Sequence, residues 1–429
     1  MKLTIYSERL AVDPVEIPRA TADQHTMGNA IDSYVRQRLP TRLLDEGAGV
    51  AIEVHGIYPD HLPSAFPDAV LVNSGMPFRP DKQFNCVRPR YFLARHRGRP
   101  RLIVAVPPGR DYVLHYASLL AHYVSLQQPA SSTANVEAIF RYPEAEQSLA
   151  HWTDLERFVQ PQDRVLIGYV QELTSFFERT GATVLARTGN RYYGMTRLRI
   201  GDQIVCALGV RFSFWGCISA KLAARCQSLG ARELIYVGKL GTLTAHDDLY
   251  RRLYVPSEFV HLDGAQRRVP FEPAPNRLLQ SFPYLDSGVH MSVGTVLEES
   301  ISQRHLAGIL GVTSMDNEIA QIAVALSAPG APPIAFSSVH FATDYLRRWG
   351  EPVRRQDLNL TNHRGSRARR RKRIILRRIG ELLWRHYTTC TSELVTCPAT
   401  TGEAVAERRR YDGPQYLQRY PGFSTRPRV

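Results

Sequence analysis

Two carboxylates at the mouth of an apolar helix are the residues of this chain best placed to do chemistry. They stand in Gly311-Val-Thr-Ser-Met-Asp316-Asn-Glu318, which runs straight into Ile319-Ala-Gln-Ile-Ala-Val-Ala-Leu326. One acidic side chain at a helix opening is explained by the helix dipole, and Asp316 fits that account. The second, Glu318, falls where the chain enters the core, and it points to a ligand. Two other segments carry similar promise. Tyr236-Val-Gly-Lys-Leu-Gly-Thr242 has two glycines that let the backbone approach a ligand closely, and Val293-Gly-Thr-Val-Leu-Glu-Glu299 adds a hydroxyl and two more acids. Ligands of open α/β sheets sit beyond the carboxyl ends of the strands, so all three segments are expected at one site.

The elements that must position these residues lie in a second region, roughly 160–350. Apolar runs at Arg164–Gly168, Glu233–Gly238, His290–Leu297 and Pro333–Val339 read as strands. Helices are expected after Gly168 through Phe177, at Ile218–Leu229 with Gly230 as its cap, and at Asn317–Leu326. Tyr192–Ile200 and Gln203–Leu208 form a hairpin around Gly201-Asp202. Alternating strands and helices imply a mostly parallel sheet covered on both faces.

A first region, 1–150, holds the strand-like runs Ala51–Val54, Ala69–Val72 and Leu102–Val106 and a helix over Tyr112–Leu126, with a polar linker at Gln127–Ala134. It reads as an α/β unit of unassigned role. A third region, 351–429, is a basic helical extension and tail. In it Ile374, Ile375, Ile379, Leu382, Leu383 and His386 recur at helical spacing, a stripe expected to dock on the protein's own core rather than on a membrane surface.

The chain of 429 residues carries a net charge of +14, and nine of its Lys and Arg fall between Leu358 and Gly380, where there is no acid. The block Arg364–Arg378 is either a solvated helix face or a contact for a polyanion such as nucleic acid, and in both cases lies outside the catalytic core. Six scattered cysteines without a C-x-x-C pair indicate neither zinc nor a redox motif. No apolar run reaches the ~18–20 residues of a membrane span, and Glu8 interrupts any leader at the N-terminus, so a reducing cytoplasm is the expected compartment. P-loop, H-E-x-x-H and G-x-S-x-G motifs are absent, and Gly47-Ala-Gly49 fails as a dinucleotide fingerprint because Ile52 stands at its last position.

The order of motifs in 160–350 resembles the nucleoside phosphorylase and nucleosidase superfamily. A strand ends in a glycine loop at Val165-Leu-Ile-Gly168. A hairpin and Gly209-Val-Arg211 follow, then a V-G-x-x-G segment at Val237–Gly241 and the stretch Asp248–Pro256. Val293-Gly294 comes next, and Asp316-Asn-Glu-Ile-Ala320 is similar to the family's E-M-E-A-A. The resemblance implies a three-layer α/β fold with a mixed central sheet, no cofactor, a homo-oligomer, and cleavage of an N-glycosidic bond. It places Glu318 on the ribose hydroxyls, with Asp316 and Asn317 in place of the family's first Glu and Met. It puts the base pocket at Thr295–Glu299, and makes Gly238 the ligand-facing glycine.

Departures from the family pattern set the expected nucleophile. Phosphorylases carry an Arg where Tyr236 stands and a hydroxyl where Lys239 stands. Glu172, in the first glycine loop, is similar to the water-activating glutamate of the nucleosidases. His340, in Ser337-Ser-Val-His340, takes the place of the purine enzymes' proton-donating Asp and is a competent general acid. The reading is therefore hydrolysis of a nucleoside or nucleotide. Phosphorolysis and a non-catalytic nucleoside-binding or assembly role are the alternatives.

Overall fold

The computed structural model describes residues 7–11, 31–46, 50–73, 88–96, 98–127, 136–141, 155–211, 216–263, 266–268, 276–285, 288–296, 301–346 and 366–389. All lie in one compact unit, Met1–Thr391. Glu299, Arg364 and most of the expected 127–134 linker lie outside the described residues.

Two sheets organise the unit. The first has six strands in the order β1-β6-β2-β5-β4-β3, formed by β1 (Ser7–Ala11), β2 (Ala51–Gly56), β3 (Val70–Asn73), β4 (Arg90–His96), β5 (Arg99–Val106) and β6 (Val136–Arg141). The parallel strands β6, β2 and β5 form its centre. Successive residues of a strand point to opposite faces. Leu102, Val104 and Val106 accordingly enter one core, while Ile103 and Ala105 enter another. Helix α1 (Ile31–Arg38) and the long α2 (Arg110–Gln127) cover the first of these faces. The helix Thr41–Glu46 precedes Gly47-Ala-Gly49 and β2 follows it, the reverse of the strand-turn-helix order of a dinucleotide-binding turn.

The second sheet is mixed and has eleven strands. Its main path is β14-β13-β15-β16-β11-β7-β10-β9-β8, with β17 beside β11 and β12 beside β17. The strands are β7 (Arg164–Gly168), β8 (Thr183–Gly189), β9 (Tyr193–Ile200), β10 (Gln203–Val210), β11 (Glu233–Thr242), β12 (Leu253–Tyr254), β13 (Glu258–Asp263), β14 (Gln266–Arg268), β15 (Val289–Val293), β16 (Val312–Asp316) and β17 (Ala335–Tyr345). The strands β7 and β17 both run parallel to β11. Helix α3 (Val170–Thr180) lies on one face, and α4 (Cys217–Ser228) and α5 (Ile319–Leu326) lie on the other. The alternation again decides which core receives a residue: Val165 and Ile167 pack with Leu222 and Ile322, and Leu166 packs with Leu173 and Phe177. The result is the expected three-layer α/β arrangement around a mixed sheet.

Two strands run past their expected ends. Strand β11 does not turn at Gly238 but continues to Thr242, and β17 continues from Val339 to Tyr345. The reason is mutual: they pair along their length in parallel, with a bulge between Leu240 and Gly241 that sets Asp344 opposite Gly241.

Helix α6 (Ser366–Thr389) passes straight through the basic block. Ile375, Ile379, Leu382, Leu383 and His386 of the expected stripe are buried, and the apolar ones pack with α3 residues. Ile374 is 52% exposed and Leu376 is buried instead. Arg369, Arg370, Arg371, Arg373, Arg377 and Arg378 face solvent. The helix is clipped to the sheet where His386 and Arg164 both bind the buried carboxylate of Glu233, His386 Nε2 at 2.9 Å. Burial alone would raise the Glu233 carboxyl, but His386 and then Arg164 hold it down to about 2. A depressed carboxyl contributes stability above its unfolded value of 4.5, and that contribution is lost as pH falls from 4.5 toward 2. Glu233→Gln leaves Arg164 buried without its counter-charge. It is expected to cost about 3–5 kcal/mol and to flatten the acid limb of stability, measured by denaturant unfolding at pH 7 and pH 3.

Candidate active site

The ends of five neighbouring strands carry the candidate residues: β7 ends at Gly168, β11 at Thr242, β15 at Val293, β16 at Asp316 and β17 at Tyr345. Gly168 has a φ of +101°, and a Cβ there would lie 2.0 Å from the Val237 carbonyl oxygen, so the close crossing of β7 and β11 needs glycine. Gly238 is needed for a different reason. A Cβ there would come within 2.6 Å of His340 Nε2 and 3.0 Å of the Tyr236 hydroxyl, side chains that stack edge to face with centroids 4.6 Å apart.

The two expected carboxylates at the β16–α5 junction divide their work. Asp316 is fully engaged by the protein. The Nε2–H of His290 donates to it at 2.8 Å and the Ser292 hydroxyl at 2.6 Å, and the backbone N–H groups of Glu318 and Ile319 donate at 3.0 and 3.1 Å. Burial would raise its carboxyl, but His290 and these donors hold it below the usual range. It is the anchor of the helix opening, as the dipole argument requires. Asn317 is tied to the Val293 carbonyl at 2.9 Å. Glu318 makes no such cap. Its carboxyl is raised well above the usual range by burial and then by the adjacent Asp316 charge, with Lys239 pulling the other way. The Tyr236 hydroxyl hydrogen-bonds to it. The Glu318 carboxyl thus meets a phenol, within reach of the Lys239 charge.

Lys239 is held down to about 8, first by burial and then by the charge of Lys372 on α6. Asp344 and Glu318 act on it as the nearby negative charges. Glu172, in the first turn of α3, is 48% exposed and pairs with Lys372 at 3.4 Å. It stands at the rim rather than in the buried centre. Neither ring nitrogen of His340 has a hydrogen-bond partner among the described residues, and burial pushes its imidazole down to about 3. It is neutral at physiological pH and carries no ionisable proton of the kind expected of a general acid. Asp344, four residues further along β17, is the acidic side chain that reaches the Lys239 charge. Its sequence signal is Thr343-Asp344 closing an apolar strand, which lies beyond the expected strand end at Val339.

The first sheet's helices complete the site, which nothing in the sequence reading anticipated. Asp111, in the first turn of α2, accepts from the Cys217 N–H at 2.9 Å and from Gln321 Nε2 at 3.1 Å, and its charge reaches Glu318. One turn on, His115 shares a 2.8 Å hydrogen bond with Thr295, placing the first residue of the expected base pocket against α2. Burial, and then Arg38 of α1, hold His115 down to about 3. Asp111, His115, Ser118 and His122 are all buried and recur at spacings of four, three and four. That is a polar stripe on one face of an otherwise apolar helix.

The arrangement defines an α/β protein whose candidate site lies at the strand ends of a mixed three-layer sheet, beside the helices of a second α/β sheet. No family model matches the chain. It is 29% identical over 397 residues to the protein named oxidoreductase cns1 of Cordyceps militaris, a match covering 86% of this chain and 49% of that protein. The chain therefore spans about half the length of that curated relative. Similar solved structures include a 5′-methylthioadenosine/S-adenosylhomocysteine nucleosidase of Campylobacter jejuni, at 10% identity and a TM-score of 0.37, covering 53% of this chain and 99% of that one. A purine nucleoside phosphorylase of Toxoplasma gondii matches at 16% identity and a TM-score of 0.39, covering 55% and 94%. A uridine phosphorylase of Vibrio fischeri matches at 15% and 0.40, covering 55% and 95%. The likeness is one of fold, over about half of the chain. Among the described residues, no helix is long and apolar enough to cross a membrane.

Proposed function

We propose that this chain cleaves the N-glycosidic bond of a nucleoside or nucleotide, with water as the acceptor. The observation that carries the reading is the buried acidic pair at the head of α5, in which Asp316 caps the helix and Glu318 makes no cap and meets the Tyr236 hydroxyl. Glu318 receives the sugar hydroxyls, and charge-assisted bonds of this kind are the strong ones. As the base departs, positive charge develops on the sugar, and carboxylates fixed in a water-poor site offset it. Asp344, whose charge reaches Lys239, takes over from the buried neutral ring of His340 the transfer of a proton to the leaving base, with the Lys239 ammonium as the proton's source. Thr295, held by His115, borders the base, whereas the room that Gly238 leaves over β11 is taken by His340 and the Tyr236 hydroxyl rather than by a ligand. Glu172, at the solvent-reached rim, takes the proton from water.

Tyr236 in place of an arginine argues against a site built for free phosphate, since a guanidinium supplies two donors in fixed geometry that a phenol cannot copy. The lysines favour the rival, phosphate-dependent reading. Chromatographic detection of free base in phosphate-free buffer and again in millimolar phosphate decides between them. Hydrolysis gives free sugar or sugar phosphate at an unchanged rate. Strict phosphate dependence, with a sugar 1-phosphate as product, overturns the proposal. The name of the half-matched relative suggests a redox reading, which an assay for nicotinamide-dependent oxidation of the same nucleosides tests in parallel.

A further inference from the structure

We propose that the substrate carries a phosphate monoester on its sugar, and that Lys239 and Lys372 hold this group beside the Tyr169 ring. The inference rests on the N-glycosidase reading and narrows its substrate class to nucleoside monophosphates. Both ammonium groups lie near one aromatic ring: Lys372 Nζ is 4.5 Å from the Tyr169 centroid and Lys239 Nζ is 5.9 Å from it. They come from elements far apart in sequence, the end of β11 and the buried side of α6. The other basic residues around Lys372, among them Arg371 and Arg373, face solvent. Arg38 of α1 adds a third positive charge within reach of Lys239. Tyr169 is also the residue that opens α3, and its own side chain makes no cap there, so the first N–H groups of the helix add positive potential on the same side.

Three cations gathered from three elements repel one another, and burial makes the repulsion stronger. The depression of Lys239 to about 8 by burial and Lys372 is the mark of that conflict. Three acids share the neighbourhood. Glu318 is raised by burial and by Asp316, the Asp344 charge acts on Lys239, and Glu172 holds Lys372 at 3.4 Å in a half-exposed pair. Such exposed pairs are weak, so a phosphate dianion displaces Glu172 from Lys372 and leaves that carboxylate free to accept a proton from water.

Free phosphate has the same chemistry as a monoester, and the experiment separates the two. Base release and calorimetric binding are measured for adenosine, its 5′- and 3′-monophosphates and inorganic phosphate, using the full chain and the variants Lys372→Met and Lys372→Arg. One monophosphate is expected to exceed adenosine in kcat/KM by on the order of 10-fold or more, the scale of one hydrogen bond to a charged group. This ratio should collapse in Lys372→Met and be largely restored in Lys372→Arg. Equal kcat/KM for nucleoside and monophosphates, or a ratio that Lys372→Met leaves untouched, overturns the proposal while the N-glycosidase reading stands. An obligatory requirement for inorganic phosphate overturns both the monoester and hydrolysis. If no compound releases base, the N-glycosidase reading fails. Binding then decides the subsite: tighter binding of a monophosphate that Lys372→Met abolishes supports it, and equal binding overturns it.

Discussion

Glu318→Gln is expected to lower turnover by ~10²-fold or more, the cost of losing one electrostatic contact to the transition state, and to leave the fold intact. The stability side follows from the sign of its shift. A carboxyl raised above its unfolded value binds its proton more tightly in the folded protein. Folding stability therefore falls as pH rises from the unfolded value, 4.5, through the raised one. Glutamine mimics the protonated form, so the variant melts at or above the wild-type temperature at neutral pH. The rate side runs opposite. The ionised form serves the developing cation, so kcat/KM climbs with pH as the Glu318 and Asp316 pair loses its proton, and that acid limb disappears in the variant. A second limb is expected near pH 8, where Lys239 loses its charge. A Glu318→Gln protein with full activity removes Glu318 from the chemistry.

Asp344→Asn is expected to cost ~10²–10⁴-fold in turnover, the usual contribution of a positioned general acid. The loss should depend on the leaving group. A riboside of p-nitrophenol needs no protonation to depart, so its hydrolysis should survive the substitution, while release of a purine should not. Equal losses for both would show that Asp344 acts through Lys239 or through the fold. His340→Asn provides the contrast. His340 fills the space over Gly238 and stacks on Tyr236, so its loss should disturb stability and KM without selecting between leaving groups.

The parts of this site legible in the sequence are those fixed by neighbours along the chain. Asp316 and Glu318 were readable because a helix opening and an apolar run lie next to each other in sequence, and the division between cap and free carboxylate follows from a two-residue offset. Gly238 and Lys239 were readable as belonging to β11 but not as lying inside it, because pairing with β17 carries the strand on to Thr242. Lys372 was hidden inside a block whose charge spoke for exposure. Its position gave another signal: 372 lies three before 375 and four after 368, on the same helical face as the buried Ala368, Ile375 and Ile379. Periodicity placed it against the core, where charge alone placed it in solvent. Asp344 was lost at a strand end, the least determined feature of a strand, because β17 is extended by its pairing with β11 and by the bulge at Leu240/Gly241.

By itself the sequence determined the main elements of the second region, such as β7, the β9–β10 hairpin, α4 and α5, and that two acids meet at the head of α5, while β8, β13 and the helix Ile301–Ile309 were not legible in it. Burial periodicity is a local property, and it is written residue by residue. Tertiary structure alone decided the rest. It put α2 of the first region over the strand ends, so that Asp111 and His115 reach Gln321 and Thr295 across separations of 210 and 180 residues. It turned Lys372 toward Tyr169 and tied α6 to the sheet through Glu233. Those contacts arise from the order in which strands pair and from the helices that close over them. That order is set by the summed packing of whole faces, which no short stretch of sequence contains.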